Sequence, residues 1–166
     1  GFGRIGQAVA RGAPRFGLRV PYARRSPGPP QIGQELRARH VPPDALLQQS
    51  DFVSLHVPLR EETRHLIGIE QLCRMKRSAF LLNTSRGPVV DEAALAWALR
   101  EGLLAGAALD VYEQEPCVHP DLVGLENVVL APHLGSATVE TRTAMADLAA
   151  RNVLAVLSGS VPLTPV

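Results

Sequence analysis

Only two cysteines occur in the 166 residues, Cys73 and Cys117, far apart and in no CxxC pair, which argues against a disulfide framework or a thiolate zinc site. No His, Cys and Asp spacing suggests any other metal, so none is expected. Neither sign of charge is in excess. With 17 Lys plus Arg against 16 Asp plus Glu, no broad field draws the chain to nucleic acid or to anionic lipid. Also missing are any run of 18 apolar residues and any basic segment followed by an apolar leader. These absences predict a soluble, cytoplasmic protein whose partner is a small molecule, with no membrane association.

What is present is a chain with 46% apolar residues, long enough to bury one substantial core and better suited to one domain than to two. It begins at Gly1, without a methionine and inside a glycine-rich turn, which predicts a fragment. Short runs rich in Val, Leu and Ala alternate with helical patterns, as in βα units around a parallel sheet. The spacing of Ile5, Val9 and Ala10 predicts a first helix, and strands are predicted over 18–23, 51–57, 79–84, 105–111 and 128–131. The proline-rich stretch 26–43 reads as a loop with at most a short helix or strand near 35–41, and 44–49 as one helical turn or two. Further helices are predicted over 69–75, from a cap at Asp91 to Glu101 with Gly102 closing it, and from Ser136 to a stop at Gly159. Polar residues gather after the strands' carboxyl ends, where open α/β sheets bind their ligands.

Gly1-Phe2-Gly3-Arg4-Ile5-Gly6 matches GxGxxG, the turn whose glycines let a backbone approach a pyrophosphate at a helix N-terminus. With the helix and strand that follow, it forms most of a βαβ unit. The fold class expected is therefore a doubly wound, Rossmann-type parallel α/β sheet whose first strand is missing at the N-terminus. An NAD-selective site of this kind places a carboxylate about 20 residues further on, on the ribose 2′-hydroxyl. Here that stretch reads Tyr22-Ala23-Arg24-Arg25-Ser26. Two guanidiniums and a hydroxyl suit a 2′-phosphate, which predicts NADP(H) in preference to NAD(H); the alternative reading is a solvated basic loop.

From Ser54 onward four segments stand in order: Leu55-His56-Val57-Pro58-Leu59 with Thr63, Asn83-Thr84-Ser85-Arg86-Gly87, Leu109-Asp110-Val111 with Glu115-Pro116, and Pro132-His133-Leu134-Gly135-Ser136. Together they resemble the signature segments of D-isomer-specific 2-hydroxyacid dehydrogenases, and within that family they are most similar to glyoxylate and hydroxypyruvate reductases. The resemblance implies that Arg86 grips the substrate carboxylate and carbonyl, that His133 exchanges the proton, and that Glu115 orients and supports the histidine. It implies further that Asp110 meets the nicotinamide carboxamide, and that Pro58, Thr63, Thr84, Gly135 and Ser136 line the cofactor. The residue types suit the chemistry. Reduction of a keto carbon builds alkoxide character on oxygen, so a donor that titrates near neutrality must stand within hydrogen-bond reach. A neighbouring carboxylate favours the charged imidazole, and a planar guanidinium holds an α-keto carboxylate bidentately.

His56 reads as a packed residue, and His40, His65 and His119 as solvated ones. The resemblance also implies a separate substrate domain, expected to be missing from this stretch of sequence, and a homodimer at full length. Two other readings remain open: a nonenzymatic NAD(P)H sensor of the corepressor kind, and an inactive fragment that keeps the fold.

Overall fold

Five leucine or valine side chains, Leu72, Leu81, Leu95, Leu104 and Val89, exclude water almost completely in the computed structural model. That model describes residues 1–25 and 30–165. Burying each such side chain stabilises by roughly 1.5–3 kcal/mol. The chain forms two compact units, Gly1–Pro132 and His133–Val166.

In the first unit, helix α1 (Arg4–Gly12) leads to β1 (Val20–Tyr22), α2 (Pro30–Glu35), β2 (Ala38–His40), α3 (Pro43–Gln49), β3 (Phe52–Leu55), α4 (Ile69–Arg74), β4 (Phe80–Asn83), α5 (Glu92–Arg100), β5 (Gly106–Leu109) and β6 (Val128–Leu130). All strand pairs are parallel, in two ladders, β1-β2 and β3-β4-β5-β6. The predicted strands are all present but shorter at their ends, because beyond the paired registers the backbone turns into the loops that carry the polar residues. Val53, Leu55, Leu81 and Leu109 point to one face of the larger ladder and join the core with Leu72, Leu95, Ala98 and Leu99 of the helices. On the opposite face the Phe52 and Phe80 rings stack at 5.6 Å.

Gly1 and Phe2 enter α1 between the carboxyl ends of the two ladders. Phe2 stacks on Tyr22 at the end of β1, with ring centroids 3.7 Å apart. Gly1 lies against the carbonyl of His56, just past β3, where a Cβ would come within 2.4 Å of that oxygen.

Two helical expectations change in detail. Ile5 and Val9 have the right spacing, but α1 turns Gly6 and Ala10 inward and leaves Ile5 and Val9 69% and 50% exposed. The reason is space: a Cβ at Gly6 would meet the Gly1 carbonyl oxygen at 2.7 Å, so only small residues fit that interface. The second unit's helix, α6 (Val139–Leu157), starts three residues later than Ser136. Thr138 caps it, its hydroxyl accepting from the Thr141 N–H at 3.2 Å. Gly102 and Gly159 follow α5 and α6 with φ of 64° and 77°, the left-handed closures expected of them. Among the described residues, no helix is long and apolar enough to cross a membrane, and no group of three or more His, Cys, Asp or Glu could hold a metal ion.

Candidate active site

Past the end of β4 the chain folds on one buried side chain. Asn83 is 1% exposed. Its Nδ2 donates to the Arg86 carbonyl at 3.0 Å, and its Oδ1 accepts from the Ser85 N–H and Ser85 Oγ at 3.1 and 2.9 Å. A short amide side chain that bonds its own downstream backbone makes such a turn without help from the sheet. The turn carries Arg86 to the surface, where Nη1 donates to the Ser85 carbonyl at 2.6 Å and the side chain is exposed.

Past β5, Asp110 is buried and Glu115 stands exposed on the following loop, its Oε1 accepting from the Tyr112 N–H at 3.2 Å. Tyr112 is anchored from its other end: its hydroxyl reaches the Ala131 carbonyl at 2.8 Å and the Leu109 carbonyl at 3.3 Å, tying the ends of β5 and β6. The loops of Arg86 and Glu115 are in main-chain contact. A Cβ on Gly87 would fall 1.9 Å from the Tyr112 carbonyl carbon and oxygen, so only glycine permits this approach. His133 opens the second unit with φ of 55°, a left-handed conformation uncommon for a residue bearing a Cβ. Gly135 and Ser136 follow it, both exposed.

The glycine turn has the features that a dinucleotide requires. Gly1 and Gly6 are packed against backbone, whereas nothing lies within 4 Å of a Cβ built on Gly3. No side chain caps the first amides of α1 and no acidic residue stands in its first turn, which leaves those N–H groups and the positive end of the helix available to an anion. Gly3, Arg4, Ile5 and His56 line a cleft of about 500 Å³. His56 is thus a half-buried wall of the cleft as well as a packed residue; Ser54 Oγ is hydrogen-bonded to its Nε2 at 2.9 Å, and burial holds its pKa below the ordinary histidine value.

Arg24 and Arg25, just past β1, are exposed and form no ion pair among the described residues. His40 Nε2 donates to the Arg24 carbonyl at 3.4 Å. Ser26 lies outside the described residues. In the loop after β3, the Thr63 hydroxyl donates to the Pro58 carbonyl at 2.7 Å and accepts from the Arg60 N–H at 2.8 Å, so it braces the loop that carries Pro58. Thr84 is exposed directly after β4. Every one of these first-unit positions lies beyond a carboxyl strand end or on the turn between them.

Two histidines are more engaged than their polar surroundings suggested. His65 Nε2 donates to Glu113 Oε2 at 2.9 Å, and His119 Nδ1 accepts from the Asp121 N–H at 3.3 Å. Glu92 at the start of α5 is only 4% exposed, and burial, with the Glu113 carboxylate, pushes its pKa up against hydrogen bonds that pull it down. A carboxyl raised in the folded state stabilises fully below its unfolded pKa and loses that contribution as pH rises through the folded value. Thermal melts from about pH 4 to pH 8 are therefore expected to show the parent losing stability across that interval more steeply than Glu92→Gln, which keeps the acceptor oxygen without the charge. Parallel profiles would refute the assignment.

The family model described as D-isomer specific 2-hydroxyacid dehydrogenase, NAD binding domain, matches residues 1–135. The glyoxylate reductase of Thermococcus onnurineus (strain NA1) is 55% identical over 164 residues, covering 99% of this chain and 49% of that protein. The glyoxylate reductase of Korarchaeum cryptofilum (strain OPF8) is 57% identical over 167 residues, covering 98% of this chain and 49% of that protein. A crystal structure of an NADPH-dependent glyoxylate/hydroxypyruvate reductase from Sinorhizobium meliloti, in complex with NADP and malonate, superposes with a TM-score of 0.92 at 39% identity, covering 100% of this chain and 51% of that one. The chain spans about half the length of the curated relatives it matches.

Proposed function

Because the chain belongs to the D-isomer specific 2-hydroxyacid dehydrogenase family, we propose that it is the nucleotide-binding part of an oxidoreductase that reduces a small 2-keto acid of the glyoxylate or hydroxypyruvate type to the D-2-hydroxy acid. The observation that carries this reading is the main-chain contact at Gly87, which brings the backbone next to Arg86 against the loop that leads to Glu115, past neighbouring strand ends.

Reduced nicotinamide, when bound, supplies the hydride. Its phosphates would lie on the free amides of the glycine turn, over Gly3. Arg86 holds the substrate carboxylate and polarises the carbonyl, so the keto carbon is fixed in one orientation and the transfer becomes effectively intramolecular. His133 donates its proton to the oxygen as charge develops there, and Glu115 orients the imidazole. Asp110, Pro58, Thr63, Thr84, Gly135 and Ser136 line the cofactor. NADPH is the preferred donor, because two exposed arginines with no ion pair among the described residues can meet a 2′-phosphate where an acidic residue would repel it. The full-length enzyme acts as a homodimer in the cytoplasm.

The test is to follow NADPH and NADH consumption by the full-length protein with glyoxylate, hydroxypyruvate and pyruvate, before and after replacing Arg24 and Arg25 by alanine. Turnover with at least one keto acid is expected, with a preference for NADPH that the double substitution removes. Inactivity with all three would overturn the reaction; equal use of both cofactors by the parent would overturn the preference alone.

A further inference from the structure

A carboxylate that the proposed reaction does not use joins the segments behind its two loops. Glu113 and Glu92, 21 residues apart, exchange reciprocal bonds: Glu113 Oε1 accepts from the Glu92 N–H at 3.0 Å, and Glu92 Oε1 accepts from the Glu113 N–H at 2.7 Å. The second oxygen of Glu113 takes the His65 Nε2 proton at 2.9 Å, with Arg64 Nη2 at 3.7 Å. His65 belongs to a segment laced onto the chain just after Arg86. Its N–H donates to the Pro88 carbonyl at 2.8 Å, the Ile67 N–H to the Val89 carbonyl at 3.1 Å, and the Asp91 N–H to the Ile67 carbonyl at 3.0 Å. His65 also holds φ of 48°, a left-handed conformation uncommon for a residue bearing a Cβ.

We propose that Glu113 is a positioning residue that sets the distance between Arg86 and Glu115 by clasping their two loops to the start of α5 and to the His65 segment. Both carboxylate oxygens are engaged, one on an amide and one on an imidazole. Loss of the side chain therefore frees the 111–115 loop and the 87–91 segment together. A change that merely thinned the surface would loosen one without the other. The catalytic consequence rests on the reaction proposed above; the mechanical coupling does not.

Hydrogen exchange on the full-length protein separates the two. In Glu113→Ala, exchange is expected to rise about tenfold at both 87–91 and 111–115, and to stay near the parent's rate in Glu113→Gln, which keeps an acceptor for the Glu92 N–H. In turnover, Glu113→Ala is expected to lose about tenfold to a hundredfold in kcat/KM for the keto acid with the cofactor KM nearly unchanged, and Glu113→Gln to recover most of it. Faster exchange at only one segment, no rescue by glutamine, or keto-acid and cofactor parameters falling in proportion would each overturn the proposal. If Glu113→Ala does not fold, His65→Ala removes the imidazole from Glu113 Oε2, together with the pair at 3.9 Å to Asp91 Oδ2, and is expected to loosen both segments to a smaller extent; exchange unchanged at both would overturn the proposal. A parent inactive with every keto acid would refute the reaction, while the exchange result would still decide the clasp.

Discussion

Replacing His133 by alanine is expected to lower turnover by about 10²- to 10⁴-fold while nicotinamide-cofactor affinity stays within about twofold, the loss typical of removing a positioned general acid. The separation follows from what each group touches. In the proposed arrangement the phosphates would rest on the amides of the glycine turn and the start of α1, none of which His133 supplies. The proton delivered to the keto oxygen has no equivalent source in the proposed arrangement. Arg86→Ala should fail differently, raising KM for the keto acid above all, since it is the carboxylate grip that disappears. Steady-state kinetics with separate cofactor titrations distinguish these patterns. Parent-like turnover in His133→Ala would end its assignment as the acid.

Gly87→Ala is expected to damage both stability and turnover. The added methyl would stand 1.9 Å from the Tyr112 carbonyl group and 2.5 Å from the Glu113 nitrogen, all backbone, so no side chain can swing aside to admit it. Forcing an atom into such a contact costs about 3 kcal/mol when the surroundings cannot yield. Where they do yield, the Arg86 loop is pushed from the loop of Glu115, and keto-acid turnover falls with the cofactor site untouched. Thermal melting together with kinetics checks this. A Gly87→Ala protein with the parent's melting temperature and turnover would show that the two loops need not touch.

How much of this was legible in the sequence depends on how far apart the partners lie. The larger parallel ladder could be read, because Val53, Leu55, Leu81 and Leu109 announce buried strands by composition alone and Asp91 and Gly102 punctuate α5 locally. The glycine turn and the Arg86 segment could be read for the same reason: short motifs carry their own geometry. Asn83 stood within the quoted segment, yet its role as the pivot of the turn shows only once its amide meets the Arg86 carbonyl. The reciprocal pair of Glu92 and Glu113 had no such signal. Two acidic residues in polar stretches look like solvated surface, and only the approach of separate loops, made possible by Gly87, turns them toward each other's amides. The spacing of Ile5, Val9 and Ala10 announces α1 but not its inward face, because the packing distance at Gly6 admits only small residues. His65 was read as solvated because nothing adjacent in sequence reveals a carboxylate 48 residues away.

The hydroxyl of Tyr112 has one proton and two carbonyls, those of Leu109 and Ala131, within its reach. At any instant it can satisfy one of them, so the ends of β5 and β6 share a single alternating bond. Burial pushes the phenol's pKa upward, which keeps that proton in place. Were it lost, the attraction to both carbonyls would turn into repulsion in the same moment. One proton thus serves both strand ends in turn, and its loss would deprive both of the phenol at once, leaving only the Ala131 N–H to Leu109 carbonyl bond between them.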